Sequence, residues 1–479
     1  MSTLREKTER GLLWGALNNG TMQALNALVG ICLARLLTTG DYGLVGMLAI
    51  FTAIASTLQE SGFTSALTNI ERPTDNDYNA VFWFSTLMSL VLYSILFCCA
   101  PLIAGFFRHP ELIDLSRLLF LSLLFSALGT APAAYLFKNL MVRETTVLRI
   151  SSLIVSSLVA ITMAYNGMGY WALAWMNLLY VALTSIGRFF LIDWRPSLRI
   201  DFGPIRRMFS FSYKVLITSI ANAFSQNLLT FIFGKLFPVG TVGNYSQAFK
   251  WDNQASSFVS GTIAQVAQPI LVEINEDTDR QLHVFRKMLR FTSFLTFPAM
   301  FGLSMVAHEF ILLAIKARWI DSIPLLRILC ISGAFLPFYT MYQNLVISKG
   351  RSDLYMWATL SLLATQLGLV LLFHHHGIVF IVGLYTLTVI LWLGLWQCFA
   401  HRLIGLRLRD ALKDTVPFAA VAAAVMAFTY LITQPIHSLW VLLPVRIAIA
   451  AALYTGIMKL LRVKMFEECI AYFRKKHRR

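Results

Sequence analysis

The chain has 479 residues, of which 57% are hydrophobic and only 13% are charged, and its net charge is +16. A soluble domain of ordinary composition has about 25% charged residues. This chain has too few charged residues for a surface exposed mainly to water, so most of its surface must be in contact with lipid. We therefore exclude a soluble enzyme. Because excess Lys and Arg on a membrane protein marks cytoplasmic loops, the positive charge does not indicate nucleic-acid binding.

Long apolar stretches predict an all-α integral membrane protein with fourteen transmembrane helices. A span needs about 20 mostly apolar residues, and some uncharged stretches, such as Ile150–Gly187, are long enough for two spans around a Gly-containing turn. The hydrophilic N-terminal sequence, followed by no A-x-A-like site, predicts that the first helix is retained rather than cleaved. The predicted helices are 11–35, 42–69, 79–105, 111–136, 147–166, 168–191, 212–236, 242–273, 291–315, 322–347, 354–374, 377–400, 415–434 and 438–461.

The charge distribution supports this count and predicts that both termini are cytoplasmic. About three quarters of the 40 Lys and Arg residues lie on the side of the N terminus, as the positive-inside rule requires. The outward connections are short, so we expect no external domain that could carry an active site. The basic segment "DWRPSLRIDFGPIRRMFSFSYK" predicts a short amphipathic helix on anionic headgroups, with a site for a substrate headgroup as the alternative. The tail "RKKHRR" is expected to touch lipid.

A weak internal repeat predicts two lobes. The stretch "LARLLTTGDYG" at residue 33 and the stretch "FGKLFPVGTVG" at residue 233 each close an apolar helix with a basic residue and two glycines, which we interpret as an outer anchor and a turn. Since the two helices run in the same direction, the halves are parallel repeats of six helices, an arrangement typical of transporters with alternating access. The predicted domains are an N-lobe at 1–195, a C-lobe at 196–405, and helices 13 and 14 with a basic tail at 406–479.

Polar side chains on the first and seventh predicted helices indicate a substrate cavity. On each helix, amide or hydroxyl residues recur at spacings of three and four, which places them on one face. Intramembrane polar groups are unfavourable in lipid and usually face an interior cavity, although hydrogen bonds between helices of one lobe are the alternative. The predicted substrate-binding residues of these two stripes are Asn19, Gln23, Asn26, Asn222, Gln226 and Asn227.

Three charged residues lie too deep for simple contact with headgroups. Lys250 and Asp252 lie two positions apart on the eighth predicted helix, so they point to different faces and do not simply neutralise each other. Glu60 lies within the second predicted helix. We predict that Lys250 contacts an anionic substrate group, and that Glu60 and Asp252 serve ion coupling. Four basic residues near outer helix ends are instead expected to reach the headgroups, namely Arg35, Arg117, Lys235 and Arg327.

No pattern indicates a cofactor, a metal site or catalysis. His374, His375 and His376 point in different directions, have no acidic or Cys partner nearby, and are interpreted as an interfacial turn. The six cysteines form no C-x-x-C pair and are interpreted as packing residues. Since there is no phosphate-binding loop, nucleophile elbow or H-E-x-x-H motif, we predict that the protein is not an enzyme.

Five stretches together resemble the polysaccharide-transporter family of the multidrug/oligosaccharidyl-lipid/polysaccharide (MOP) flippase superfamily. They are "GLLWGALNNGTMQALNALVGICLARLLTTGDYGLVGM", "LQESGFTSAL", "GNYSQAFKW", "KARWIDSIPLLRIL" and "SKGRSDLY". The resemblance is nearest to lipopolysaccharide and colanic-acid-type exporters and covers essentially the whole chain. It implies a flippase that moves a polyprenyl-pyrophosphate-linked oligosaccharide across the bacterial cytoplasmic (inner) membrane, alongside the polymerase and glycosyltransferases of the same pathway.

The resemblance also implies where the substrate binds. The basic position of the "YSxAxK" stretch falls on Lys250, and the polar positions of the first helix fall on Asn19, Gln23 and Asn26. One departure is that related flippases carry several central arginines, whereas this chain has few there, so clamping of the diphosphate by a bidentate Arg is less expected. A drug or metabolite antiporter of the same superfamily remains the alternative function. A membrane polymerase or ligase would need a large outer loop, and none is predicted.

Overall fold

The computed structural model describes residues 4–60, 67, 70, 73–198, 201–274, 277–463 and 466–467, and all regular secondary structure among them is helical. Side chains are described for a smaller set, which excludes residues 4–19. The α-helices are α1 (Leu4–Leu36), α2 (Thr39–Glu60), α3 (Asp75–Phe107), α4 (Leu112–Leu128), α5 (Thr130–Lys138), α6 (Val142–Tyr165), α7 (Tyr170–Phe189), α8 (Gly203–Leu236), α9 (Val239–Glu273), α10 (Thr278–Phe310), α11 (Ser322–Gly333), α12 (Leu336–Ser348), α13 (Ser352–Phe373), α14 (Ile378–Ile404), α15 (Leu408–Ile432) and α16 (Leu439–Leu460).

The described helices confirm a multi-pass membrane protein. Ten helical stretches are long and apolar enough to cross a membrane, and an eleventh is added if the bent pair α4–α5 counts as one span. Each predicted segment overlaps a helix or a consecutive pair of helices. The helices α1, α8 and α9 are not among the stretches that meet the criteria, so the count of fourteen spans stays a prediction.

Two segments that the sequence predicted as single helices are each divided. The segment 111–136 becomes α4 and α5, which meet at Gly129 with a bend of 43°. The segment 322–347 becomes α11 and α12, which meet at Ala334 and Phe335. Pro132 and Pro337 lie in the first turn of the second helix of each pair, where a missing N–H leaves no intrahelical hydrogen bond unmade.

The contacts group the chain into two compact units, Met1–Ser246 and Gln247–Arg479. In the first unit, α4 packs against α3 and α7, α1 lies along α6, and α2 packs against α8. In the second unit, α10 packs against α11, α15 and α16, and α11 packs against α14. The lobe boundaries predicted from the repeat, after residues 195 and 405, stay a prediction.

The stretch interpreted as a turn between the first two helices is instead the beginning of a helix. Helix α1 ends at Leu36 and α2 starts at Thr39, so Gly40–Gly43 is helical. The backbone N–H and hydroxyl of Thr38 donate to the Asp41 carboxylate at 2.8 Å and 2.7 Å, and the Asp41 N–H donates back to the Thr38 hydroxyl at 3.2 Å. These reciprocal bonds satisfy N–H groups that a helix start leaves without partners.

The repeated glycines let the N-terminal turns of α2 and α9 approach each other closely. A Cβ atom on Gly43 would collide with the backbone oxygen of Val239, and a Cβ atom on Gly243 would collide with the backbone oxygen of Thr39. The contact is therefore reciprocal within the first unit. Since both obstacles are backbone atoms, a side chain at either glycine could be accommodated only by moving the helices apart.

We expect Gly243→Ala to lower the apparent melting temperature of the purified protein, because overpacking a tight contact costs about 1–3 kcal/mol. Gly40→Ala is the matched control, since the nearest atom to a Cβ there is the Thr38 hydroxyl at 3.7 Å. The measurement is thermal unfolding of both variants in the same detergent. Equal melting temperatures for the two variants would contradict a rigid contact at Gly243.

The basic segment before α8 differs from the predicted amphipathic helix. Its described residues between α7 and α8 are not helical, and the second half of the stretch belongs to the long helix α8. Trp194 and Ile192 are buried in an apolar cluster with residues of α3 and α5. The backbone of Ser197 accepts from the Trp83 indole at 2.7 Å and donates to the Asn79 side chain at 2.9 Å. The segment is thus fixed to the first turns of α3 because its apolar residues have a protein partner.

Candidate functional site

The polar stripe of α1 is only partly within the described side chains. Asn19 lies in α1, but its side chain is outside the description. Gln23 and Asn26 are both half-buried. Their amides therefore keep access to the protein's surroundings, as substrate-binding groups would need.

The matching stripe of α8 has the same partial exposure. Asn222 is half-buried and Gln226 is exposed. Asn227 is half-buried, and its side-chain nitrogen donates to the backbone oxygen of Ala223 at 2.8 Å. One donor of the Asn227 amide is thus used within its own helix, which leaves its carbonyl oxygen as the group best placed to accept a further bond.

Lys250 lies on α9 beside a tightly packed aromatic residue. Its side chain is half-buried, and its Nζ lies 5.8 Å from the ring centroid of Trp251. The Trp251 ring is buried and packs edge-on against Phe310 at a centroid distance of 4.9 Å. A cation within about 6 Å of an indole face is attracted by the ring, so the rigid Trp251 helps to hold the ammonium group.

Asp252 is the most deeply buried of the predicted charges. Only 2% of its surface is exposed, and its Oδ1 has no hydrogen-bond partner. A Cβ atom on Gly333, the last residue of α11, would collide with this oxygen. The carboxyl group therefore lies against the backbone at the break between α11 and α12.

Glu60 has a basic neighbour that the sequence analysis missed. It is the last residue of α2, and it interacts electrostatically with Arg188 of α7. The Arg188 Nη1 also donates to the backbone oxygen of Gly129, at the bend between α4 and α5, at 3.0 Å. Arg188 lies near the end of the predicted helix 168–191, and its partners on α2 and at the bend between α4 and α5 could not be inferred from its own neighbours in the chain.

A buried ion pair in the second unit was also missed. Arg446 of α16 donates to Glu309 of α10 at 2.7 Å and to the Thr433 hydroxyl at 2.9 Å, and both charged side chains are 4% exposed. The Arg446 guanidinium also lies over the Tyr430 ring, 4.5 Å from its centroid. Both charges lie inside predicted apolar spans, so the principle that intramembrane charges are rarely accidental could have found them.

A second ionic cluster joins α10 to α15. Arg286 donates to Asp414 at 2.6 Å and lies 3.7 Å from Asp410, and Arg290 lies 3.8 Å from Asp414. Since Arg446 binds Glu309 near the opposite end of α10, the final helical hairpin is tied to this helix at both ends.

Lys235 and Arg117, which the sequence analysis interpreted as headgroup anchors, both contact protein groups. Lys235 donates to the backbone oxygen of Phe106 at 2.6 Å, near the end of α3, and its Nζ lies 4.4 Å from the Phe106 ring centroid. Arg117 lies 4.3 Å from the Phe97 ring centroid and 3.8 Å from Asp114. A basic side chain at a helix end satisfies carbonyls that lack intrahelical partners, which explains the position of Lys235.

The described part of the chain contains no group of three or more His, Cys, Asp or Glu residues that could hold a metal ion. His374, His375 and His376 form one turn of 3₁₀ helix with no buried member.

The amino-acid sequence is similar to a known protein family and to individual members of known name. Residues 32–324, more than half of the chain, match the family described as polysaccharide biosynthesis protein. The lipopolysaccharide biosynthesis protein WzxC of Escherichia coli (strain K12) is 24% identical over 359 residues, which are 74% of this chain and 72% of the relative. The teichuronic acid biosynthesis protein TuaB of Bacillus subtilis (strain 168) is 21% identical over 367 residues, 74% of each chain.

A solved structure has a similar fold. The lipid II flippase MurJ, in an inward closed conformation, superimposes with a TM-score of 0.73 at 14% sequence identity. The match covers 94% of this chain and 99% of that structure. At this identity the similarity establishes the all-helical fold, and the sequence matches carry the functional argument.

Proposed function

Because the chain belongs to the polysaccharide biosynthesis protein family, we propose that it is a flippase for a polyprenyl-pyrophosphate-linked oligosaccharide used in surface polysaccharide biosynthesis. The family match over residues 32–324 carries this proposal. It is supported by two relatives named for the biosynthesis of different surface polysaccharides. A multi-pass helical protein suits the task, because a diphosphate and its sugars cannot cross hydrocarbon without a polar path.

The proposed transport uses alternating access of two lobes and is coupled to an ion. We propose fourteen spans with both termini in the cytoplasm of a bacterial cell, an N-lobe at 1–195, a C-lobe at 196–405 and a terminal hairpin with a basic tail at 406–479. The unequal distribution of Lys and Arg between the two sides supports this topology. The polymerase and glycosyltransferases of the same pathway are the proposed protein partners, and membrane lipids surround the spans.

The proposed roles of the polar residues follow from their chemistry. The ammonium of Lys250 would bind the diphosphate, because a charged donor forms the stronger bonds to phosphate oxygens. Amide side chains both donate and accept hydrogen bonds and therefore suit sugar hydroxyls. The proposed sugar-binding residues are Asn19, Gln23, Asn26, Asn222, Gln226 and Asn227. The proposed ion-coupling residues are Glu60 and Asp252.

The test is deletion of the gene in its own host. We expect surface polysaccharide to disappear and the lipid-linked oligosaccharide to accumulate, with its sugar exposed only on the cytoplasmic side of everted membrane vesicles. Mass spectrometry of extracted lipids and lectin binding to the vesicles would measure both effects. A deletion strain with normal polysaccharide but altered susceptibility to cationic drugs would instead favour the antiporter.

A further inference from the structure

We infer that the coupling ion of the proposed transport is a proton and that its binding site is the carboxyl group of Asp252, at the break between α11 and α12. The inference rests on the proposed flippase function and names the ion and the residue that serve it.

The burial of Asp252 is the first argument. Its side chain is 2% exposed, and its Oδ1 forms no hydrogen bond. An isolated ionised carboxylate is strongly disfavoured in such a place, and a buried group of this kind becomes neutral instead. In the arrangement described, Asp252 is therefore the carboxylic acid, with one bound proton.

Among the residues whose side chains are described, the neighbours of Asp252 supply no compensating positive charge. The titratable groups with which it interacts are the Cys330 thiol of α11 and the Tyr385 hydroxyl of α14. From α10, Met300 presents an uncharged thioether beside Gly333. Lys250 is two residues away on the same helix and so points to a different face.

Among the described residues, Asp252 does not belong to a group of three or more His, Cys, Asp or Glu residues that could hold a metal ion. A hard metal ion is bound by several oxygen ligands at once, and none of the neighbours named above adds a second carboxylate to that of Asp252. A proton needs only the one carboxylate oxygen.

This chemistry separates the two predicted coupling residues. Glu60 interacts with the Arg188 guanidinium, which supplies a counter-charge within the first unit. Asp252 interacts with no such cation among the described residues. Of the two acids, Asp252 is thus the one whose charge would stay uncompensated unless the carboxylate binds a proton.

The position of Asp252 places the proton at a break between two helices. Its Oδ1 lies against Gly333, where α11 ends and a new helix begins. When the Asp252 carboxyl group loses its proton, it becomes a negatively charged carboxylate beside Gly333, and that charge requires water or another polar partner. Release is therefore coupled to a rearrangement at the helix break, and rebinding of one proton restores the packed arrangement.

The genetic test uses Asp252→Asn, which keeps the shape of the side chain but cannot bind or release the proton. We expect it to leave the deletion strain without surface polysaccharide while the protein accumulates to its normal level. Asp353→Asn is the matched control, because Asp353 is exposed and pairs only at the surface with Arg351; it should restore polysaccharide fully. Full restoration by Asp252→Asn would overturn the inference, whereas normal polysaccharide in the deletion strain itself would refute the proposed function.

The identity of the ion is tested in vesicles loaded with the lipid-linked oligosaccharide extracted from the deletion strain. A protonophore should slow flipping by the wild-type protein, and a sodium ionophore alone should not. Slowing by the sodium ionophore alone would overturn the assignment of a proton.

A third measurement needs neither substrate nor variant. A hydrophobic carbodiimide reacts with protonated carboxyl groups in apolar surroundings, so mass spectrometry of the purified wild-type protein should find a modified Asp252. The modification should decrease as the pH is raised and should be indifferent to sodium. Protection by sodium, or no modification at any pH, would contradict a proton at Asp252.

Discussion

Replacing Lys250 with alanine should strongly reduce surface polysaccharide while leaving the protein at its normal level in the membrane. The half-buried ammonium lies beside the Trp251 ring and is the proposed contact of the substrate diphosphate. Loss of a hydrogen bond between charged groups costs about 1.5–3 kcal/mol. Since about 1.4 kcal/mol corresponds to a factor of ten, we expect transport to fall roughly ten- to a hundredfold.

Two further variants distinguish a loss of substrate binding from a general loss of folding or membrane insertion. Lys250→Arg keeps a permanent positive charge and should retain part of the transport, although its planar guanidinium differs in geometry from an ammonium. Lys459→Ala is the matched control, because Lys459 is exposed in the last turn of α16. The measurement is surface polysaccharide per cell at equal amounts of membrane protein. Full complementation by Lys250→Ala would remove this residue from the proposed site.

The positions of the helices could be predicted because they depend on local sequence. An apolar stretch long enough to span a bilayer is visible in the chain itself, and every predicted segment overlaps a helix or a helix pair. The breaks were not visible in the same way. Gly129 looks like any glycine in a membrane helix, and its role becomes clear only from Arg188, which lies 59 residues later and binds its backbone oxygen.

The polar stripes of α1 and α8 follow from helical spacing, which places their residues on one face of each helix, and their role in substrate binding stays a prediction. The partners of charged residues could not be predicted. Glu309 and Arg446 are separated by 137 positions, and no pattern within either helix indicates the other. The state of a charge, whether paired like Glu309 or unpaired like Asp252, depends on tertiary contacts and therefore becomes clear only from the structure.

The buried Glu309–Arg446 pair should have the largest effect on stability. We expect Arg446→Ala to lower the apparent melting temperature strongly, because removal of one partner from a buried ion pair costs about 3–5 kcal/mol by leaving the other charge uncompensated. The remaining carboxylate would already have one buried oxygen, Oε2, without a hydrogen-bond partner. Thermal unfolding of the purified protein would measure the change, with Arg351→Ala as the control because the Arg351–Asp353 pair is exposed.

The double variant Glu309→Gln with Arg446→Gln gives the decisive comparison. Two neutral amides leave no buried charge and can still bond to each other and to Thr433, so we expect this protein to be more stable than either Arg446→Ala or Arg446→Gln alone. Such non-additivity is what a direct interaction produces in a double-mutant cycle. If the two substitutions were instead additive, Glu309 and Arg446 would act independently. The tie between the final hairpin and α10 would then rest on Arg286 and Asp414 at the opposite end of α10.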